Sequence, residues 1–180
     1  FRIREAKNEQ APSYRIYSQS DLFDDLTGVK TEASDNKVIR TEEQVSTLLS
    51  GDIIFSLISG NACIVSKEHE GYLYTQNYVK MSVESNIDAK FLLYLFNEDK
   101  LVRRQLQAGL QGSAVLKYTL KQLKELRLPV LPSMERQKIV GDIYLKQLKL
   151  ETLKYRKAKA ETAFLLGKLE EAVHNERSRL

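Results

Sequence analysis

The C-terminal part of this chain constrains its fold more than any other segment. Pro129 and Pro132 end a short apolar run, because proline cannot donate a hydrogen bond to a β-ladder. Ser133 then stands where a helix N-cap belongs, and Glu135 lies in the first turn, where the helix dipole favours an acid. No further proline interrupts the helical pattern. The predicted units are a compact domain over residues 1–132, a long helix over 133–175 and a tail over 176–180.

The predicted helix carries two apolar stripes. One alternates in steps of three and four, like a coiled-coil seam, and consists of Leu145, Leu148, Thr152, Tyr155, Lys159, Thr162, Leu166, Leu169 and Val173. The second contains Ile139, Ile143, Leu150, Leu153, Ala160 and Phe164. About forty helical residues reach about 60 Å, beyond the diameter of a small domain. This favours burial against a partner over packing on the chain's own domain, with an interface at Leu145, Leu148, Tyr155, Leu166, Leu169 and Val173.

Composition indicates one ordinary domain with an appendage. Of the 180 residues, 42% are hydrophobic, enough for a core, and 29% are charged, which is typical of a soluble protein. No apolar run approaches the roughly 20 residues that span a bilayer. Nothing at the N-terminus resembles a signal peptide, and a chain that opens at Phe1 is expected to be part of a longer protein. The lone Cys63 lies in an apolar run and is predicted to be a buried thiol in the reducing cytoplasm.

Positive charge is concentrated in one segment. Residues 1–99 carry 10 Lys/Arg against 16 Asp/Glu, whereas residues 100–133 carry 7 against 1. Such clustering suits a surface that faces phosphates, since each neutralised phosphate releases counterions. On charge alone, a solvated helix face is an equal alternative.

The sequence argues against catalysis by this chain. His69 and His174 have no evident companions for a metal site or an oriented base, and neither a phosphate-binding glycine loop nor a dinucleotide fingerprint occurs. Asp88 and residues 98–100 loosely fit a nuclease pattern of carboxylates and lysine. They fall within one predicted helix rather than on adjacent strands, which favours coincidence.

Local patterns predict a mixed α+β fold without repeats. Thr41 and Gln44 have the spacing of a capping box, and Asp88 and Thr119 can cap helices. Alternation and turn residues predict the strands. The predicted elements are a strand at 14–18, an acidic turn at 21–28, a loop at 30–40, a helix at 41–49, a hairpin of strands 53–58 and 62–66, a strand at 72–80, a helix at 88–106, a helix from 119 and a strand at 126–131.

Several segments together resemble the specificity subunit of type I restriction–modification systems. They are residues 49–56 (LSGDIIFS) with 60–62 (GNA), residues 75–80 (TQNYVK), the loop at 112–113, and residues 128–140 (LPVLPSMERQKIV) ahead of a long helix. The resemblance spans about residues 45–173. A full-length subunit has two recognition domains and two helices, whereas this chain has one of each. It therefore resembles a half-subunit that dimerises through its helix, and a natural half-protein and a fragment both remain open.

The resemblance implies a non-catalytic role in reading double-stranded DNA. One target-recognition domain would read a half-site in the major groove, while the helix docks methyltransferase subunits and, through them, the restriction subunit. S-adenosylmethionine, Mg and ATP would belong to those partners, and this chain would hold no cofactor. The alternatives are a coiled-coil scaffold without specific DNA binding and, less favoured, a small nuclease.

Physical roles follow for individual side chains under this hypothesis. Lysines suit phosphates, amides suit bidentate contacts with adenine, and hydroxyl groups suit bases or backbone. Turn chemistry remains the alternative for the amides, and an inward-facing polar role is a further one for Asn77. The predicted DNA-binding residues are Ser59, Asn61, Gln76, Asn77, Gln111, Ser113, Lys117, Tyr118, Lys121 and Lys124.

Overall fold

A computed structural model describes residues 3–31, 37–110 and 117–177. It confirms the mixed α+β class and the long C-terminal helix. Within the described ranges, no helix combines the length and apolar composition needed to cross a bilayer. The elements are β1 (Ser13–Arg15), α1 (Gln19–Thr27), β2 (Val38–Arg40), β3 (Ile53–Ser56), β4 (Ala62–Ile64), a single 3₁₀ turn (Lys67–His69), β5 (Tyr78–Met81), α2 (Ala89–Asn97), α3 (Lys100–Ala108), α4 (Leu120–Glu125) and α5 (Met134–Arg177).

A three-stranded antiparallel sheet of order β4-β3-β5 forms the centre of the domain, and β1 pairs with β2 in a smaller sheet. The predicted hairpin is confirmed, since Ile54 lies opposite Cys63 across β3 and β4. Its turn needs glycine at position 60, where φ is 70° and an added Cβ would lie 2.3 Å from the Tyr118 ring.

Side chains of β3 alternate between two halves of the core. Ile53 and Phe55 pack with α2 and α3 in one cluster, whereas Ile54 joins Cys63 and Tyr17 in the other, which α1 covers. Cys63 is fully buried, as predicted, and burial raises the pKa of its thiol. Burial of β3 on both faces explains why three of its four residues are apolar, and Ser56 is the one buried polar residue in it.

The predicted acidic turn at 21–28 is wrong, because this segment is helix α1. Ser18 and Asp21 form a reciprocal capping box, in which the Ser18 backbone N–H donates to the Asp21 carboxylate over 2.7 Å. Gly28 ends the helix in the left-handed region, with φ of 64°. The segment predicted as a loop at 30–40 likewise contains a strand, β2. This strand has only three residues, which is too short to show an alternating pattern in the sequence.

The predicted helix at 41–49 is also wrong. Thr41 uses its hydroxyl as an acceptor for the Glu43 N–H, which makes a turn. Further along, the Leu48 N–H donates to the Tyr72 carbonyl at 2.8 Å, so this part of the segment is extended against residues 71–73. Tertiary pairing has overridden a local helix signal here.

Three other boundaries differ from the predictions. The helix expected at 88–106 is two helices, because Asp99 caps α3 by accepting from the N–H groups of Leu101 and Val102 at 3.0 Å each. Strand β5 begins only at Tyr78, so most of the strand expected at 72–80 is irregular. The strand expected at 126–131 does not form. The Arg127 N–H and carbonyl bond to the side-chain amide of Gln105 instead of to a neighbouring strand.

Helix α5 begins as predicted, with the Ser133 hydroxyl accepting from the Arg136 N–H at 3.5 Å. Its first half packs along α2 and α1. Leu145 and Leu148 contact the chain's own core, so the expectation that this part of the seam lacks intramolecular cover is wrong. Farther along the same stripe, Tyr155, Leu166, Leu169 and Val173 are exposed. Leu166, Leu169 and Val173 lie farther along α5 than Arg156, whose side chain donates to the Lys30 carbonyl of the domain.

His69 belongs to a buried polar network, contrary to the expectation that it has no orienting partner. Its Nδ1 lies 2.8 Å from Asp25 Oδ1, and its Nε2 lies 3.5 Å from Asp21 Oδ1. The Tyr17 hydroxyl donates to the other Asp25 oxygen at 2.6 Å and lies 3.4 Å from Cys63 Sγ. With both His69 and Asp25 buried, this network ties α1 to the segment after β4.

We expect this network to make stability depend on pH. Burial lowers the pKa of His69, but the hydrogen bond to Asp25 and the nearby carboxylates outweigh it, so the folded-state pKa is raised above 6.5. The stabilisation is therefore complete below about pH 6.5 and is lost as the pH rises through the higher folded-state pKa. Urea unfolding between pH 5.5 and 9 should give a free energy that declines over that window, and His69→Gln should remove the decline. An equal decline in His69→Gln would contradict this assignment, while exposed His174→Gln serves as the control.

Candidate nucleic-acid interface

Three segments that are distant in sequence meet at one end of the central sheet. The Leu57 N–H donates to the Asn77 carbonyl at 2.8 Å, and the Tyr118 N–H donates to the Leu57 carbonyl at 2.9 Å. Lys117 Nζ donates to Asn77 Oδ1 at 2.7 Å. We call this region, formed by residues 57–61, 75–77 and 117, the amide edge.

The amide edge contains most of the predicted base-reading residues. Ser59 and Gln76 are exposed, whereas Asn61 and Asn77 are half-buried. The Asn77 side chain accepts a hydrogen bond from Lys117, which gives it a structural role in holding two segments together. Ser59 is held in the β3–β4 turn by a bond from its N–H to the Ser56 hydroxyl, at 3.1 Å. Gln111 and Ser113 lie outside the described residues.

Tyr118 is a core residue, which corrects its prediction as a DNA contact. It is 7% exposed, and its ring packs edge-on against Phe55 at 5.8 Å between centroids. The same ring occupies the space left by the missing side chain of Gly60. Tyr118 stands between the polar residues Lys117 and Thr119, and so short a segment shows no periodic pattern from which its burial could be inferred.

The predicted phosphate-binding lysines are not equivalent. Lys117 is directed to Asn77, and Lys121 lies 3.9 Å from Glu125 in an exposed pair one helical turn apart. Lys124 is exposed at the margin of a groove that β5 and α4 line. The structure thus brings Lys117 to the amide edge and leaves Lys121 and Lys124 on the adjacent helix α4.

A second basic region was not among the predicted site residues. Lys100 and Arg104 lie one turn apart on α3, and Arg127 faces them across a concavity of about 390 Å³ with Leu101 and Gln105. Gln105 fixes the segment: its amide accepts from the Arg127 N–H at 3.0 Å and donates to the Arg127 carbonyl at 2.9 Å. Over the part of the chain that the structure describes, no carboxylate forms an ion pair with these three cations. We call this region the basic concavity.

Helix α3 connects the basic concavity to the amide edge. Arg103, next to Arg104 in the helix, donates to the Gly60 carbonyl at 2.8 Å. Asn97, just before α3, bonds both backbone groups of Ala62, at 2.7 and 2.9 Å. Sequence reasoning missed these positioning residues, because side-chain bonds to a distant backbone leave no periodic signal. The four-residue spacing of Lys100 and Arg104 was the available signal for the concavity.

Two of the carboxylates that loosely fitted a nuclease pattern, Asp88 and Asp99, act as helix caps. Asp88 accepts from the Lys90 and Phe91 N–H groups, and Asp99 caps α3 in the same way. In the described ranges, no three His, Cys, Asp or Glu side chains are grouped so that they could hold a metal ion. Capping accounts for why these acids occur where they do.

The small mixed α+β domain and the long helix that ends it are consistent with an HsdS-like fold. The family model for the type I restriction modification DNA specificity domain matches residues 3–162. This chain therefore belongs to that family. No curated protein sequence matches it significantly.

Two solved structures share this fold. One is the HsdS subunit from Thermoanaerobacter tengcongensis, with 19% sequence identity and a TM-score of 0.58, over 84% of this chain and 39% of that one. The other comes from work on complex assembly and conformational transition of the type I R-M system, with 18% identity and a TM-score of 0.61, over 87% and 41%. This chain thus spans about two fifths of the length of either.

Proposed function

We propose that this chain is a non-catalytic DNA-recognition subunit of a type I restriction–modification system, which reads one half-site of double-stranded DNA. The observation that carries the proposal is the connection of two surfaces by α3. Exposed amide and hydroxyl side chains lie at the amide edge, and the basic concavity holds cations that form no ion pair with a carboxylate of the described residues. Base readout and phosphate contact require these two kinds of surface on one domain.

The two surfaces would divide the work of binding. Gln76, Asn61 and Ser59 present groups that can bond base edges in the major groove. Lys100, Arg104 and Arg127 would contact phosphates, with Lys124 as a further candidate on α4. Such contacts set the position of the domain on the duplex without reading its sequence.

Catalysis would belong to partner subunits. Methyltransferase subunits would supply S-adenosylmethionine chemistry, and the restriction subunit, reached through them, would use Mg and ATP. Their docking surface would be α5, whose distal half extends beyond the domain. The place of action of such a system is the cytoplasm, where the cell's DNA lies.

We also propose that two copies pair through the second stripe of α5. Ile139, Ile143, Leu150, Leu153 and Phe164 are between 46% and 65% exposed. At about 100° per residue, they lie on the side opposite Leu145 and Leu148. In an antiparallel pair with Leu150 facing Leu153 of the second copy, Ile143 faces Ala160 and Ile139 faces Phe164. Self-complementary spacing of this kind suits a two-fold interface.

The predicted readout of sequence can be tested at Gln76. Gln76→Ala should cost about 1–3 kcal/mol on the cognate site, because a bidentate contact is lost, and little on random duplex. The assay is DNA binding by the chain reconstituted with its methyltransferase partner, and exposed Gln147→Ala on α5 is the matched control.

A scaffold without specific DNA binding is the competing function, and its support is the same exposed stripe on α5. If the reconstituted complex binds cognate and random duplexes equally, DNA recognition is wrong and the scaffold replaces it. Equal losses on both duplexes in Gln76→Ala would instead assign Gln76 to general binding.

A further inference from the structure

Gln137, in the first turn of α5, is almost completely buried at 2% exposure, which is unusual for a glutamine. Its Oε1 accepts from the Asp88 N–H at 2.9 Å. Its Nε2 donates to the carbonyls of Asn86 and Pro132 at 3.0 and 2.9 Å. One side chain thereby joins the start of α5, the residue that caps α2 and the segment that leads into α5.

One turn further on, Gly141 permits the backbones of α5 and α2 to touch. A Cβ at this position would lie 2.7 Å from the Phe91 nitrogen and 2.8 Å from the Lys90 carbonyl carbon. Neither atom can move independently of α2, because both are backbone. The contact continues on the surface, where Lys90 Nζ lies 2.6 Å from Asp142 Oδ1.

These contacts fix a direction as well as a position. Asp88, the N-cap of α2, bonds to Gln137. Farther along α2, the Phe91 backbone lies against Gly141, and Tyr94 packs against Tyr144. Residue numbers increase in the same order on both sides, so α2 and α5 run in the same direction. A small rotation at Gln137 would be amplified along α5. The 21 residues from 157 to 177 extend about 30 Å beyond the last contacts with the domain.

We propose that Gln137 and Gly141 are positioning residues that hold α5 at one angle to the recognition domain and so set the separation of the two half-sites read by a pair of chains. This inference rests on the proposed function. Two recognition domains joined by a rigid connection can bind half-sites only at one separation, because the distance between the two domains fixes the distance between the half-sites. A loose junction would let each domain bind its half-site at several separations.

The angle can be measured with two nitroxide labels, at Lys67→Cys and Glu170→Cys, on a labelled chain diluted with unlabelled chain. Both positions are exposed, and Cys63 is fully buried, so the labels attach where intended. The distance distribution should be single and narrow in the otherwise unchanged chain. Gly141→Ala and Gln137→Met should broaden it about two-fold or shift it by several ångströms, whereas Gly167→Ala, which adds a Cβ with nothing within 4 Å, and Gln147→Ala should leave it unchanged. Unchanged distributions in both variants would overturn the proposal.

The consequence for DNA is tested by letting the reconstituted complex methylate a random-sequence library. The unchanged chain should give one bipartite motif with one gap length. Both junction variants should keep the half-site sequences but spread the gap over neighbouring lengths, a result that simple loss of stability would not give. A single unchanged gap in the variants overturns the positioning role and leaves the proposed function standing, whereas the absence of any motif with the unchanged chain contradicts the proposed function itself. If Gly141→Ala loses its unfolding transition, Gln137→Met decides, because it keeps the side-chain volume.

Discussion

Replacing Lys100, Arg104 and Arg127 together with glutamine should abolish most of the affinity of this chain for DNA of any sequence. Each lost phosphate contact flattens the dependence of log K on log salt by about 0.9, so the slope should fall by about 3 units. At 0.1 M salt the corresponding loss is on the order of several hundred-fold. Because all three side chains are exposed, the thermal unfolding midpoint should stay unchanged. Fluorescence anisotropy on random duplex, at salt concentrations between about 50 and 300 mM, measures the slope.

A control is needed because the triple change also lowers the net charge. Lys154, Lys159 and Lys168 lie on the distal part of α5, away from the basic concavity, and their replacement by glutamine removes the same formal charge. This control should change the slope by less than about one unit, since it removes no close contact. Equal slopes in the two variants would mean that total charge, and not the basic concavity, governs binding.

Introducing Leu150→Glu and Leu153→Glu should convert a self-associating chain into a monomer. Both leucines are 46% exposed in the single chain, so its own fold should tolerate the change. In the proposed antiparallel pair the four new carboxylates would be buried against apolar residues, at a cost of several kcal/mol. The dissociation constant should therefore rise at least about 100-fold. Sedimentation equilibrium at micromolar concentration measures it directly.

Two further variants identify the face that pairs. Leu165→Glu changes an exposed leucine that lies off both stripes, and it should leave association unchanged. Leu166→Glu with Leu169→Glu changes the distal part of the first stripe. If that pair dissociates the chain and the Leu150 and Leu153 pair does not, the first stripe is the interface. If the unmodified chain is a monomer, pairing through either stripe of α5 is contradicted.

The proposed antiparallel register, in which Leu150 faces Leu153 of the second copy, predicts an unusual effect of salt on self-association. Lys146 would face Lys157 of the second copy, and like charges across a seam repel. Salt should therefore strengthen self-association through screening, while it weakens DNA binding. The two processes can be separated on this basis.

The sequence by itself determined the features that depend on local chemistry. Proline spacing and Ser133 located the start of α5, a mostly apolar run located β3, and Thr119 located the start of α4. Each signal depends only on residues within a few positions of one another. For the same reason, the segments that carry the family resemblance were recognisable before any contact between them was known.

The tertiary structure decided everything that depends on contacts between distant residues. It made the segment after Thr41 extended, because Leu48 pairs with Tyr72, and it gave His69 its carboxylate partners. It buried Tyr118 over Gly60 and grouped Lys100, Arg104 and Arg127 around one concavity. It also decided which part of α5 is covered, because Gln137 and Gly141 dock the first part of that helix on α2 whereas Leu166 farther along is exposed. A periodic pattern shows that a helix has two apolar faces, but only the packing of the domain decides which residues of those faces stay exposed.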